Sequence, residues 1–413
     1  MEGNLSEGDQ KKQEIGCIMA SLETGSKKKS VWIAAALTAY IYLPYFSNIL
    51  ENALAGSPLL VYMAEAFLIC LAIGISGKID KRVLAFLLVF IALLLLNVLL
   101  VPYQYYVIIE GIQALLGVSV PCFCIANETF DLTVFAEIWW KFSRWNFLLV
   151  LLAVIMSRSK LVHYSIFTSI CAANVFIGAY MLLCGEKKRR VLLLNIFFNI
   201  VIDVVFGGRM SAMVSIGVFL FAYLFSAQMR YWEKAIIAGV VIAAVLLVRQ
   251  NFQRIILWLI NFLADHGMRS RSMNLLIQQL HGKKLYLTNR DQIYEVCVRY
   301  IRDRFGMPGG FGVPLYLTEG KYYYAHNIIL QFLILFGFFG SILLLAVMLI
   351  RGRKLRRIAP LEYRRFTYFL LLCYIPIGMT GSSIWIHYLS TIFIALFFFG
   401  RAEIQTDRGD EKG

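Results

Sequence analysis

Apolar runs long enough to cross a bilayer recur from residue 31 to residue 400, and no other feature limits the fold of this chain so strongly. A hydrocarbon core of about 30 Å takes about 20 apolar residues to cross as a helix, and inside lipid each backbone N–H and C=O must find its partner within the segment. Twelve such runs are read: 31–50, 57–76, 83–101, 104–126, 138–156, 162–184, 190–207, 210–227, 233–249, 326–350, 366–383 and 385–400. Hydrophobic residues make up 60% of the 413, and the mean hydropathy is +0.70, which no soluble domain requires. The expected fold is an all-α polytopic membrane protein of about 12 transmembrane helices with one large extracytoplasmic loop that itself contains helices.

Orientation follows from the basic residues in the short loops. Lys27–Lys29, Lys78, Lys81, Arg82, Lys141, Arg144, Lys187–Arg190, Arg230, Lys234 and Arg351–Arg365 fall on one side if every run crosses once, against only Arg158 and Lys160 on the other. The chain then divides into a disordered cytoplasmic tail (1–30), nine spans (31–249), an extracytoplasmic loop (250–325), three spans (326–400) and a second cytoplasmic tail (401–413). The loop carries 10 Lys/Arg against 5 Asp/Glu, which is consistent with this orientation because long loops escape the charge rule.

Most of the net charge of +15 is therefore a topology signal directed at anionic headgroups, and nucleic acid is excluded as a partner. The eight cysteines are scattered, mostly within spans, so no disulfide framework is expected, and Cys122-x-Cys124 lacks the companions of a metal site. Residues 1–30 are polar and carry no cleavable signal peptide pattern.

The long polar interval is the most informative stretch. Thr288-Asn-Arg-Asp291 reads as a capping box, which puts Arg290 in the first turn of a helix whose apolar face carries Ile293, Cys297 and Ile301. Gly306, Gly309, Gly310 and Gly312, with Pro308 and Pro314, end that helix in a tight loop, and the chain then brings Tyr322, Tyr323, Tyr324 and His326 to the next span. Ile255–Leu263, with Trp258, reads either as an interfacial helix or as an extension of the ninth span.

Ionisable groups are costly in lipid, at about 2.5–3.5 kcal/mol each at mid-bilayer on insertion scales. Glu65, Glu110, Asp203 and Arg209 all fall in the outer half of their spans or at the outer end. Each has two readings: Arg209 as a snorkelling anchor or a site residue, Asp203 as a structural partner or a base, Glu65 and Glu110 as paired carboxylates or as acceptors for substrate hydroxyls. His326, followed by Asn327, is a boundary residue or a proton acceptor; His387, which opens the twelfth span, is a weaker rival. Tyr322–Tyr324 suit either interfacial anchoring or stacking on a sugar face.

No Gly-rich phosphate loop with Lys-Ser/Thr, no Gly-x-Ser-x-Gly and no metal-binding acidic pair occurs, so neither cofactor nor metal is expected. A transporter would keep charged machinery near the midplane, where both faces can reach it, whereas groups gathered at one rim suit chemistry at the outer face. A sensor or scaffold would leave Arg209, Arg290 and His326 without a common purpose.

Gly207-Gly-Arg-Met-Ser211 after a span, Arg290 opening an outer-loop helix, the Gly-rich turn Phe305–Gly312, and His326-Asn327 followed by Leu330, Leu333, Gly337 and Gly340 together resemble the O-antigen polymerase and O-antigen ligase superfamily of bacterial envelope glycosyltransferases. The likeness covers about residues 190–350. Two positions depart from the family pattern: Leu335 and Phe336 stand where members often have a carboxylate, and Gly-Gly-Arg replaces the commoner Gly-Ser-Arg.

The resemblance implies a membrane glycosyltransferase in the cytoplasmic membrane of a bacterium, with both termini cytoplasmic and its site on the outer face. It implies polymerisation of oligosaccharide repeat units carried on undecaprenyl diphosphate, for O-antigen, capsule or exopolysaccharide, by inverting, metal-independent transfer. A ligase passing finished glycan to another acceptor is the near alternative; a flippase or exporter of lipid-linked sugars is the alternative from another class. The implied partners are the bilayer, the lipid-linked glycan, and a flippase and chain-length regulator of the same pathway. The implied catalytic residues are His326, Arg209 and Arg290, with Asn327, Asp203, Glu110, Glu65 and Tyr324 binding substrate.

Overall fold

The computed structural model describes residues 25–46, 59–156, 164–185, 189–226, 231–266 and 290–401. These are all-helical, with no strand among the described residues. In chain order the helices are α1 (25–46), α2 (Leu59–Ser76), α3 (Lys81–Leu100), α4 (Gln104–Ile125), α5 (Leu132–Trp145), α6 (Phe147–Met156), α7 (Tyr164–Leu183), α8 (Arg189–Phe206), α9 (Arg209–Phe225), α10 (Tyr231–Asp265), α11 (Arg290–Asp303), α12 (Val313–Leu317), α13 (Ile328–Ile358), α14 (Leu361–Gly378) and α15 (Tyr388–Phe399). Four of them, α2, α3, α4 and α13, are long and apolar enough to cross a membrane; Phe167–Leu183, Met210–Phe225 and Tyr388–Phe399 are shorter apolar helices. α3 and α13 turn apolar flanks outward, with Leu99 77% and Phe339 79% exposed, a surface compatible with lipid.

Among the described residues each of the twelve apolar runs overlaps a helix, and three boundaries differ from expectation. The run 138–156 is two helices. Asp131 caps α5 by accepting from the amides of Thr133 and Val134, and α5 buries Phe135, Trp139, Trp140 and Ser143 while turning Glu137 and Lys141 outward. α5 and α6 meet at Asn146, whose amide still donates to the Phe142 carbonyl (2.9 Å) and whose carbonyl accepts from Val150 N (3.1 Å), and α6 is described as far as Met156. The ninth run continues without interruption: α10 extends 35 residues to Asp265, so Ile255–Leu263 prolongs that helix and the break expected at 250 is absent. The runs 366–383 and 385–400 are separated by nine non-helical residues, 379–387, because Gly378, Gly381, Ser382 and Ser383 favour a turn over a helix.

Two buried helices carry the packing. α4 presents Gly111, Ala114 and Gly117, so neighbours come close: a Cβ on Gly117 would lie 2.7 Å from the Trp385 carbonyl oxygen, and one on Gly111 would strike Leu94. α2, α3 and α15 surround it. α7 is buried from Phe167 to Leu182 and packs against α5, α8 and α9, while α14 joins the two groups by packing against α15, α9 and α7.

Inside the second group runs a chain of uncharged polar side chains. Trp139 Nε1 donates to Tyr42 Oη (3.3 Å), Tyr42 Oη to Asn174 Oδ1 (2.6 Å), and Asn174 Nδ2 to Asn199 Oδ1 (2.8 Å). Asn199 Nδ2 donates to the Asn195 carbonyl (2.8 Å), and Asn195 Nδ2 to that of Ser143 (3.1 Å). Asn195, Asn199 and Asp203 lie four residues apart along one face of α8, so hydrogen bonds hold α1, α5, α7 and α8 in register where burial in lipid would not.

Candidate functional site

The site is built on a break in α13. Gly337 has φ +67° and ψ −177°, which interrupts the helix and frees the Ile334 carbonyl. The amides of Gly309 and Gly310 donate to that carbonyl (2.7 and 3.3 Å), and Phe338 N donates to the Gly306 carbonyl (2.8 Å). The Gly-rich turn thus takes the place of the missing helical bonds, as buried backbone groups require. Ser341 Oγ donates to the Gly337 carbonyl (2.6 Å).

On its other side the turn is held by α3 and α4. Phe311 N donates to Asn97 Oδ1 (2.9 Å), and Tyr103 Oη donates to the Gly309 carbonyl (2.9 Å). Gly312 N donates to Glu110 Oε2 (2.6 Å). Gly312 has φ +80°, and a Cβ there would lie 2.6 Å from Val107 N, so only glycine lets the turn meet α4.

Glu110, 3% exposed, is therefore an anchor for this turn. Glu110→Gln keeps an acceptor oxygen, so activity is expected to stay within a few-fold of the parent. Glu110→Ala, which leaves a buried N–H unpaired, is expected to cost about 1–3 kcal/mol, read by thermal unfolding. Gln as inactive as Ala would mark Glu110 as a proton carrier.

Against the turn lies α11, described from Arg290 onward. Thr288, the expected cap, lies outside the described residues; Ile293 and Cys297 are buried as expected. Tyr294 Oη donates to the His326 carbonyl (3.0 Å). His326 is held at φ +54°, a conformation uncommon in a residue other than glycine. Asn327 follows as the N-cap of α13, its Oδ1 accepting from Ile329 N (2.9 Å) and Leu330 N (3.2 Å), so that oxygen is committed to the helix.

The imidazole of His326 lies against the rings of Tyr324 (centroids 4.5 Å apart) and Tyr322 (5.8 Å), with Nδ1 enclosed and without a hydrogen-bond partner among the described residues. Burial, and then the Arg290 guanidinium, push its pKa down to about 4, so the ring is neutral near pH 7. The segment 379–387 forms the floor. Tyr324 Oη donates to the Gly381 carbonyl (2.8 Å), and Arg290 Nη2 lies 3.6 Å from where a Cβ on Gly381 would sit. Gln331 Nε2 donates to Ser383 Oγ (2.9 Å), and Trp385 packs among Phe90, Phe311 and Phe336.

Of the expected site residues, His326, Arg290, Tyr324 and Asn327 come together. Asp203 sits in the α8–α9 corner, where Oδ2 accepts from Ser211 Oγ (2.7 Å) and Ser215 Oγ (3.3 Å), while Oδ1 occupies the space a Cβ on Gly207 would need. Arg209 is the first residue of α9, after Gly208, whose amide donates to Thr168 Oγ1 (2.6 Å); its side chain lies outside the described part of the structure. Glu65 lies within α2, on the face that meets α4. His387 spends Nδ1 on the Leu389 amide (3.2 Å) as the N-cap of α15.

Sequence reasoning missed Tyr294, Gln331, Gly381 and Ser383. The cluster Gly378-Met-Thr-Gly-Ser-Ser383 is the available signal, a turn-forming run inside the expected span 366–383. No family model matches the chain, and no curated protein matches it.

Proposed function

We propose that this chain polymerises oligosaccharide repeat units carried on a polyprenyl diphosphate, at the outer face of a bacterial cytoplasmic membrane that it crosses twelve times with both termini inside. The observation that carries the reading is the neighbourhood of His326: a neutral imidazole with an enclosed, unpartnered Nδ1, within the field of the Arg290 guanidinium, beside Tyr324.

A hydroxyl of the acceptor sugar gives its proton to His326 as its oxygen attacks the anomeric carbon of the donor. The bond from that carbon to the diphosphate oxygen breaks, and the electron pair leaves with the lipid diphosphate. Arg290, whose fork of donors matches phosphate oxygens, meets the charge released there, and Arg209 is assigned the same task. A single displacement of this kind inverts the anomeric configuration.

The test is deletion of the gene in its host, followed by extraction of the lipid-linked saccharides. Single repeat units accumulating on lipid at the outer leaflet are expected. Finished polymer left on lipid would assign the chain as a ligase, and repeat units held at the inner leaflet would assign it as a flippase.

A further inference from the structure

α2 packs along α4, and the contact carries more polar groups than it uses. Tyr62 and Glu65 lie one turn apart on α2; the Tyr62 hydroxyl lies against the Gln113 carboxamide of α4, with Glu65 and Tyr323 also beside it. Glu65 is 9% exposed and forms no hydrogen bond or ion pair with another described residue. Gln113 Oε1 is enclosed and has no hydrogen-bond partner among the described residues.

An acceptor oxygen kept from water and unused, as Gln113 Oε1 is, costs about 1–3 kcal/mol, and beside it the Glu65 carboxylate has no donor among the described residues. Their complement is a ligand that brings O–H donors. Tyr323, 51% exposed, offers that ligand a flat apolar face. Arg290 beside His326, and Lys321 over the Tyr322 ring (5.3 Å), place positive charge on the adjoining loop and disfavour a cation.

We propose that Tyr62, Glu65, Gln113 and Tyr323 form a subsite for a neutral pyranose, whose ring hydroxyls donate to Glu65 and Gln113 while its C–H face lies on Tyr323. The sugar's part in chain growth rests on the function proposed above; the binding itself does not.

The test uses the full-length protein in lipid nanodiscs, with methyl α-glucopyranoside and the methyl glycoside of N-acetylglucosamine as probes, read by saturation-transfer NMR. Glu65→Leu and Gln113→Leu are each expected to weaken binding by at least about tenfold. The same variants are expected to leave the thermal unfolding temperature unchanged or higher, because each removes an unpartnered acceptor from the contact between two apolar helices. Unaltered pyranose binding in both variants, no binding by the parent, a lowered unfolding temperature, or Glu65-dependent binding of choline would each overturn the subsite. His326→Ala is expected to retain pyranose binding. Normal polymer from His326→Ala would sink the reaction proposed above and leave the subsite standing.

Discussion

Replacing His326 by Ala is expected to slow glycan growth by about 10²- to 10⁴-fold, the usual contribution of a positioned proton acceptor, without changing the amount of protein in the membrane. The pH dependence makes the expectation specific. Burial and Arg290 both disfavour the imidazolium, so the folded pKa of about 4 lies below the ordinary value near 6.5. Between those values the unfolded chain binds more protons than the folded one, so this residue's contribution to stability is full above about 6.5 and is lost as pH falls toward 4.

For activity, kcat/KM, which reports the free enzyme, is expected to stay level down to about pH 5 and to fall as the free ring protonates. A bound diphosphate adds negative charge beside the ring and offsets Arg290, raising the pKa by about 1–3 units, so the acid limb of kcat is expected at higher pH than that of kcat/KM. Arg290→Gln is expected to move the acid limb of kcat/KM upward but short of 6.5, since burial is the larger cause. Coincident limbs, or an Arg290→Gln limb that moves down, would remove His326 from the reaction.

What could be read before any coordinates came from local rules. Periodicity and run length placed the helices, because a segment in lipid must satisfy its own backbone. The apolar face Ile293–Cys297 of α11 followed from helical spacing, which acts over three or four residues, whereas the cap that Asn327 gives α13 was not foreseen: the span was expected to open at His326. What else escaped depends on contacts between distant segments. Glu110 and Gly312 are separated by 202 residues, and nothing in either neighbourhood marks the carboxylate as a backbone acceptor. The asparagine chain escaped because each residue is unremarkable in its own helix; only the packing of α1, α5, α7 and α8 lines them up. Asn174, Asn199 and Asn195 spend their amide groups on one another and on neighbouring backbone, which ties the helices together. The same packing explains why His326 stands out over His387: both precede a helix, but Asn327 caps α13 and leaves His326 outside the helix, whereas His387 must cap α15 itself.

Gly337→Ala is expected to abolish activity as fully as loss of His326, although no reacting group is touched. An L residue at φ +67° costs about 1–2 kcal/mol, and its Cβ would lie 2.6 Å from the Gly306 carbonyl oxygen and 2.8 Å from Pro308 N, both backbone atoms that cannot rotate away. Relief requires α13 to straighten or the Gly-rich turn to leave. Either movement removes the bonds from Gly309 and Gly310 to Ile334 and from Phe338 to Gly306, for a total of about 1.5–4.5 kcal/mol at usual net values. The turn also positions α11, so Arg290 would part from His326. Thermal unfolding and trypsin cleavage at Arg302 and Arg304 are the measurements: Gly337→Ala is expected to unfold earlier and be cut faster, which His326→Ala is not. Gly340→Ala is the control, three residues along the same helix at an ordinary φ, where an added Cβ would meet only Phe336 Cβ at 3.0 Å, and its effect is expected to stay within about 1 kcal/mol. Full activity with an uncut turn in Gly337→Ala would mean that the break in α13 does not hold the site together.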